Sequence, residues 1–241
     1  MKVAIIGVGL IGGSLALKLR EKKFANQFSG IDQSREHLQE ALDLGIIDIA
    51  ENLENGVKNA DLIIVAIPVD ATVKILPQVL DLISENQTVM DVGSTKSRIV
   101  TAIKNHPKRN RYVAFHPMWG TENSGPKSAQ RESFSGRAAV ICDKEDSAED
   151  AFSLVEKVAK TLEMNTIFMA SEAHDVHTAY ISHISHITSY ALANTVLEKE
   201  REEDTIFQLA SSGFSSTVRL AKSHPEMWVP IFKQNKENVL D

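Results

Sequence analysis

Cysteine is nearly absent from this chain of 241 residues. Cys142 stands alone, so no disulfide can form within the chain, and a reducing, cytoplasmic setting is the expectation. An excess of positive charge is also missing, since 26 Lys and Arg against 32 Asp and Glu leave a net charge of −6. That balance gives no electrostatic footprint for nucleic acid and no basic tract for an anionic membrane, so neither is expected as a partner. No apolar run is long enough to span a bilayer. Residues 1–17 are apolar with a lysine at position 2, rather like a signal peptide, but regularly spaced glycines interrupt them and no small-residue cleavage site is present. Internal repeats and low-complexity linkers are lacking too. The remainder, 43% hydrophobic and 24% charged, is ordinary globular composition, enough for one large domain or for one domain plus a smaller one.

Strands and helices alternate along the first two-thirds. Residues 3–6 form a short apolar run, as a buried parallel strand should. Glycines follow, then a helix to about residue 20. Further strands are expected at 28–31, 61–67, 88–92 and 112–115, with two last ones at 138–142 and 166–169. Helices are expected at 34–44, after Pro68, at 97–104 and between the last two strands. Val73, Leu76, Leu80 and Ile83 mark one helical face, and Phe152, Val155, Ala159 and Leu162 another. The alternation predicts an α/β fold, a mostly parallel sheet with helices on both faces. Residues 116–135 break the pattern with a long, polar, glycine-bearing loop, and such loops are usually functional. After residue 171 only helical stretches follow, at 172–200, 205–209, 217–222 and 226–235. The expected organisation is one domain over residues 1–170 and an all-α domain over 171–241.

Gly7-Val8-Gly9-Leu10-Ile11-Gly12 fits the pattern G-x-G-x-x-G. Alone the motif is weak. Here it follows a strand, opens a helix and has Asp32 at the end of the next strand, which is the context of a Rossmann-type dinucleotide site rather than of a merely structural turn. Gly7 permits the tight turn, Gly9 lets a pyrophosphate approach the backbone, and Gly12 lets the helix pack close to the sheet. The helix N-terminus at Leu10 and Ile11 offers free N–H groups to the phosphates. Ile67 and Pro68, where a later strand stops, are expected at the same cofactor site. Asp32 should accept hydrogen bonds from the adenosine ribose and repel a 2′-phosphate, so NAD is expected over NADP. Arg35 keeps NADP open, because an arginine there can hold that phosphate.

Three further segments carry groups fit for chemistry. Gly93-Ser94-Thr95-Lys96 lies just past a strand's carboxyl end, the edge where ligands sit in open α/β sheets. Ser94 there either serves a ligand or caps the next helix. His116-Pro117-Met118-Trp119-Gly120-Thr121 lies past another strand end, where a histidine can act as a general base near neutral pH. Trp119, inside a glycine-rich loop, suggests a pocket wall. The third segment holds His174, Asp175, His177, His183 and His186. His183 and His186 share a helix face, but no carboxylate third ligand stands at a suitable spacing, so no metal is expected. His174 and His177 are expected to be structural or surface residues. Arg219 lies among Val218, Leu220 and Ala221 on a largely apolar helix, where an arginine pairs with an internal acid or awaits a ligand carboxylate.

Taken together, these residues resemble the prephenate and arogenate dehydrogenases of tyrosine biosynthesis over nearly the full length. The resemblance rests on the glycine turn, Gly93-Ser94-Thr95-Lys96, His116-Pro117-Met118 with Gly120-Thr121-Glu122 and Ser124-Gly125, Ser182-His183-Ile184-Ser185-His186, Gly213-Phe214 with Thr217 and Arg219, and Met227-Trp228. It implies a Rossmann domain followed by a helical domain that forms a homodimer, with the active site in the cleft between them. It implies oxidative decarboxylation of prephenate to 4-hydroxyphenylpyruvate with NAD, arogenate being the alternative substrate. By position it implies His116 as the catalytic histidine and Ser94 as the serine that helps hold the substrate hydroxyl. Arg219 matches the arginine that grips a carboxylate and His186 a second substrate-binding histidine, with His183, Thr121 and Trp119 as further substrate residues.

There are departures. Trp119 stands where many relatives have a small residue, Ser185 replaces a frequent proline, and Ser215-Ser216 replaces a common basic–acidic pair. The chain stops at Asp241 where relatives continue, and with no regulatory domain in the sequence, feedback through one is not expected. A dehydrogenase of β-hydroxy acids or imines would use a lysine beside His183 or His186, and none stands there. A dinucleotide sensor without catalysis would leave the polar 116–135 loop unexplained. His186 is expected to donate to the ketone of prephenate, and no acid in residues 182–189 awaits an ammonium, so prephenate is expected over arogenate.

Overall fold

The computed structural model describes residues 1–203 and 205–241. In chain order it shows β1 (Lys2–Ile6), α1 (Leu10–Glu21), β2 (Gln27–Ile31), α2 (Arg35–Asp43), β3 (Ile49–Ala50), α3 (Leu53–Lys58), β4 (Leu62–Val65), α4 (Val69–Leu82), β5 (Thr88–Asp91), α5 (Ser97–Ile103), β6 (Tyr112–Pro117), β7 (Ala138–Cys142), α6 (Glu149–Thr161) and β8 (Asn165–Met169). Among the described residues the strands form one eight-stranded sheet in the order β3-β2-β1-β4-β5-β6-β7-β8. From β1 the chain moves outward to β3, then returns to β4 and moves outward the other way. The point where the order reverses, between β1 and β4, is where open α/β sheets leave a crevice at their carboxyl edge.

The sheet is mostly parallel, as the alternation predicts. The exception is the β6–β7 pair, which is antiparallel and joins Val140 to His116 and Ala139 to Pro117, so that β7, and β8 parallel to it, run against the other strands. A parallel return needs a crossover, usually a helix. Only a 3₁₀ turn at Pro126–Ser128 lies between β6 and β7, so the chain comes back the other way. The structure corrects three further expectations. β3 and α3 were not anticipated, since two strand residues and a six-residue helix carry no readable period. The strand expected over 61–67 is shorter at both ends. β6 extends through Pro117, so His116 sits at a strand end rather than in the loop.

Strand alternation divides the core into two layers. Val113 and Phe115 of β6 face a layer with Leu15, Leu19, Phe28 and Val155, while Tyr112 and Ala114 face one with Leu76, Leu80 and Ile99. The period of two puts His116 on the same face as Tyr112 and Ala114, under α4 and α5.

The C-terminal segment docks on that face. α7 (Ser171–Thr178) passes through a π-turn (Ala179–His183) into α8 (Ile184–Glu200). After these come α9 (Ser212–Thr217), a 3₁₀ turn (Arg219–Lys222), α10 (Pro225–Gln234) and α11 (Lys236–Leu240). Trp228 and Ile231 of α10 join the α4 and α5 layer. Three helical expectations need correction, the one over 205–209 being only a 3₁₀ turn (Phe207–Leu209). The helix expected over 172–200 is interrupted by the π-turn, and the one expected over 217–222 is the end of α9 followed by a 3₁₀ turn. The π-turn has a consequence for the side chains. Residues nine apart on an unbroken α-helix are about two and a half turns apart, on opposite faces. The wider turn winds the chain back, and both His174 and His183 are buried. α8 itself buries only Ser189. Tyr180, Ile181, Leu192 and Leu197 stay exposed. Among the described residues no helix is long and apolar enough to cross a membrane.

Candidate active site

The glycine turn leaves β1 at the crevice. Gly7 has φ +93°, and a Cβ on it would lie 2.4 Å from the Ala66 carbonyl oxygen and 2.7 Å from Cγ2 of Ile67. A Cβ on Gly12 would lie 2.1 Å from the Gly7 oxygen. Both positions are closed to any side chain by neighbouring backbone. Gly9 differs, since a Cβ there would meet only the Gly125 nitrogen, at 4.0 Å. The space over Gly9 is therefore open. No side chain caps α1 and no acid occupies its first turn, which contains Leu10 and Ile11. Free N–H groups and an open approach suit a pyrophosphate. Asp32 is fixed beside the turn, where its carboxylate accepts from the backbone N–H of Val8 (3.2 Å) and of Ser34 (2.9 Å). Pro68 is exposed and Ile67 partly so. The long loop folds back over this turn, because the Gln130 N–H donates to Ser14 Oγ at 2.8 Å and Lys127 pairs with Glu40 at 2.6 Å.

His116 is the penultimate residue of β6, which lies two strands from β4, the neighbour of β1. Its Nδ1 lies 2.8 Å from His174 Nε2, and His174 Nδ1 lies 2.8 Å from Asp175 Oδ1. Asp175 also accepts from the backbone N–H of Lys96 (2.7 Å) and of Ser97 (2.9 Å). Burial drives the His116 pKa well below its ordinary value of 6.5, and His174, Lys96 and His183 push it the same way. Burial also lowers His174, against the hydrogen bond to Asp175. His183 is pushed down to about 4, chiefly by burial. All three rings are held neutral at neutral pH.

Below this row lies a second buried cluster. Asp91, which ends β5, accepts from Lys96 Nζ, from the Gly93 N–H (2.8 Å) and from the Tyr112 hydroxyl (2.6 Å). Burial, together with the Asp91 charge, raises the Tyr112 pKa well above its ordinary value. Ser94, between Gly93 and Lys96 in the chain, is half-buried, and its hydroxyl makes no hydrogen bond among the described residues. Capping was one expected role for Ser94, but Asp175 supplies the acceptor for the first N–H groups of α5.

The remaining expected substrate residues are part-buried or exposed. His186 stacks on Trp228 with ring centroids 3.4 Å apart. Its Nδ1 lies 3.0 Å from the Ser182 carbonyl oxygen. A carbonyl only accepts, so Nδ1 carries the hydrogen and Nε2 of the neutral ring is bare. Burial lowers the His186 pKa, against that hydrogen bond. The expected donor role of His186 is thereby corrected, since the ring offers an acceptor. Arg219 is exposed on the 3₁₀ turn, not on an apolar helix, and Nη1 lies 3.4 Å from Oε2 of Glu122 in the long loop. Thr121 Oγ1 accepts from the Asn123 N–H (3.2 Å), and Trp119 packs edge-on to Phe134 with centroids 5.3 Å apart. His177 is exposed, as expected, but His174 is buried and joined to His116. His174, Asp175 and Lys96 thus join the site although the sequence alone assigned them no role in it. The adjacent His174-Asp175 pair was the one local signal for them.

The prephenate dehydrogenase nucleotide-binding domain matches residues 15–168, and the prephenate dehydrogenase dimerization domain matches residues 170–241. The prephenate dehydrogenase of Bacillus subtilis is 33% identical over 99% of this chain and 65% of its own length. That of Lactococcus lactis is 31% identical over 100% of this chain and 66% of its own length. The chain thus spans about two-thirds of the length of these two relatives. Among solved structures, the prephenate dehydrogenase from A. aeolicus in complex with hydroxyphenyl propionate and NAD+ superposes with a TM-score of 0.91 at 32% identity, covering 100% of this chain and 84% of that one. With both domain matches in sequence and the crevice, glycine turn and buried histidine in place, the chain belongs to the prephenate dehydrogenase family.

Proposed function

We propose that this protein catalyses the oxidative decarboxylation of prephenate to 4-hydroxyphenylpyruvate with NAD. The observation that carries the reading is His116, a buried neutral histidine at the carboxyl edge of the sheet, on the face where the C-terminal helices dock. The names of the full-length relatives support it. Bound NAD would supply a hydride acceptor, C4 of the nicotinamide. The hydride leaves the ring carbon that bears the 4-hydroxyl. His116 takes the hydroxyl proton in the same step. Loss of the ring carboxylate as CO2 sends an electron pair through the ring to that oxygen, which takes the proton back as the ring becomes aromatic. Ser94 holds the hydroxyl, Arg219 pairs with a substrate carboxylate, and His186, His183, Thr121 and Trp119 complete the substrate side. Beyond this, the protein's part is positioning of donor and acceptor.

The cofactor side consists of Gly7, Gly9, Leu10, Ile11, Gly12, Asp32, Ile67 and Pro68. We place the domain division at about Ala170. The exposed apolar residues of the π-turn and α8 support a homodimer joined through the helical segment, which is too small to build a good core alone. A reducing cytoplasm fits the lone, buried Cys142.

One observation favours a second reading. The bare Nε2 of His186 is an acceptor and suits the ammonium of arogenate better than the ketone of prephenate. Arogenate is therefore proposed as an additional substrate.

His116→Asn should lower kcat by roughly 10² to 10⁴ and leave NAD affinity nearly unchanged. Because burial lowers the His116 pKa, the base stays unprotonated as the pH falls past 6.5, so the acid limb of kcat/KM should lie below that value in the wild type. Turnover of the variant near that of wild type would remove His116 from the mechanism. With Asp32 beside the turn, NADP should be a poor substitute for NAD, and equal kcat/KM with the two would contradict that assignment. Light scattering at micromolar concentration should report a dimer; a monomer would overturn the proposed assembly. The ratio of kcat/KM for arogenate to that for prephenate should fall in His186→Ala. An unchanged ratio would place discrimination elsewhere.

A further inference from the structure

We propose that Asp175 is the positioning residue of this site: through His174 it holds His116 in its Nδ1–H form and leaves Nε2 bare toward the substrate. The proposal rests on the role read above for His116.

The argument starts from what each atom can do. A carboxylate only accepts. Burial alone would raise the Asp175 carboxyl, but the hydrogen bond from His174 and the backbone N–H groups of Ser97 and Lys96 bring it below its ordinary value. Asp175 is therefore anionic at neutral pH, and His174 Nδ1, 2.8 Å from Oδ1, must carry a hydrogen. His174 is neutral, so its Nε2 is bare. That nitrogen lies 2.8 Å from His116 Nδ1, which must then be the donor. His116 is neutral as well, so its Nε2 is bare. The opposite form of His116 would set two lone pairs against each other at 2.8 Å. No water competes, since Asp175, His174 and His116 expose 3%, 1% and 8% of their surface.

The backbone of Asp175 begins a second chain of opposite sense. Its carbonyl accepts from Asn235 Nδ2 at 2.6 Å, which identifies that atom as the amide nitrogen. The same nitrogen lies 3.0 Å from His183 Nδ1, so that ring nitrogen is bare and His183 carries its hydrogen on Nε2. One residue thus sets His116 as acceptor and His183 as donor. Its carboxylate also holds the N–H groups of Lys96 and Ser97, and with them the turn that carries Ser94.

The test uses the full chain labelled with ¹⁵N-histidine, read by long-range proton–nitrogen correlation and assigned with His116→Asn and His174→Gln. The wild type should show hydrogens on Nδ1 of His116 and His174 and on Nε2 of His183. In Asp175→Asn one amide oxygen is left for three donors, so the hold on the His174 Nδ1–H is weakened, the reversed tautomers should appear in both rings, and kcat should fall roughly 10²- to 10⁴-fold with KM little changed. His174→Gln, whose Oε1 replaces the accepting nitrogen, should keep kcat within about tenfold of wild type, and His174→Leu should not. A hydrogen on Nε2 of His116 in the wild type would overturn the proposal. So would equal turnover in the Gln and Leu variants, a comparison that decides even if Asp175→Asn does not fold. Wild-type protein with the stated tautomers but no turnover of prephenate or arogenate would support the relay and overturn the reading of the reaction instead.

Discussion

The hydrogen bonds of Asp175 to the start of α5 are the joint on which the site depends. A helix leaves its first N–H groups without partners, and a cap is worth about 0.5–2 kcal/mol. Residues near the start of α5 do not provide one. The acceptor comes instead from α7, beyond the last strand of the sheet. The need of one helix end thus fastens the C-terminal helices to the sheet edge. Lys96 ties this joint to the layer below, since its N–H meets Asp175 while its ammonium meets Asp91. Two carboxylates are buried here, and each has three donors. Buried charges persist only when satisfied in this way, and removing one partner typically costs about 3–5 kcal/mol.

That construction has an electrostatic consequence. A dry pocket next to an ammonium disfavours further positive charge, so the histidines nearest Lys96 are neutral. A neutral imidazole is always ready to accept, though it is a weaker base than one tuned to pH 7. Weak basicity is tolerable where aromatisation supplies the driving force and the proton is soon returned. When His116 becomes charged, the new charge lies one ring away from the Asp175 carboxylate, which stabilises it in a low-dielectric setting.

The parts legible in the sequence are those fixed by local geometry. Gly7 and Gly12 stand where neighbouring backbone excludes a Cβ, and Asp32 ends the next strand as the motif requires. The apolar runs of β1, β4 and β5 announce a buried sheet because both faces are covered. The reversal of β7 was not legible, because strand direction depends on what fills the connection and not on the strand's own residues. Asp175 escaped for a related reason. Its main partners lie 78 and 79 residues away, and no period reports such a contact. The π-turn lies in a helical stretch whose apolar residues largely face outward, so the pattern gave no sign that the register shifts between His174 and His183.

The same distinction separates two kinds of wall around the crevice. His116 and Ser94 sit on strand ends or turns held by buried, fully bonded groups, and a change there disturbs several partners at once. Arg219 sits on an exposed 3₁₀ turn and faces Glu122 across a 3.4 Å contact. An exposed pair of that kind is worth about 0.2–1 kcal/mol. Little is lost when either partner turns away, so a substrate carboxylate competes for the guanidinium on favourable terms. A bidentate contact in a closing crevice would be the stronger of the two. The rigid side fixes the direction of the proton, for which small errors in geometry are costly, and the pliant side receives a charge, which tolerates them.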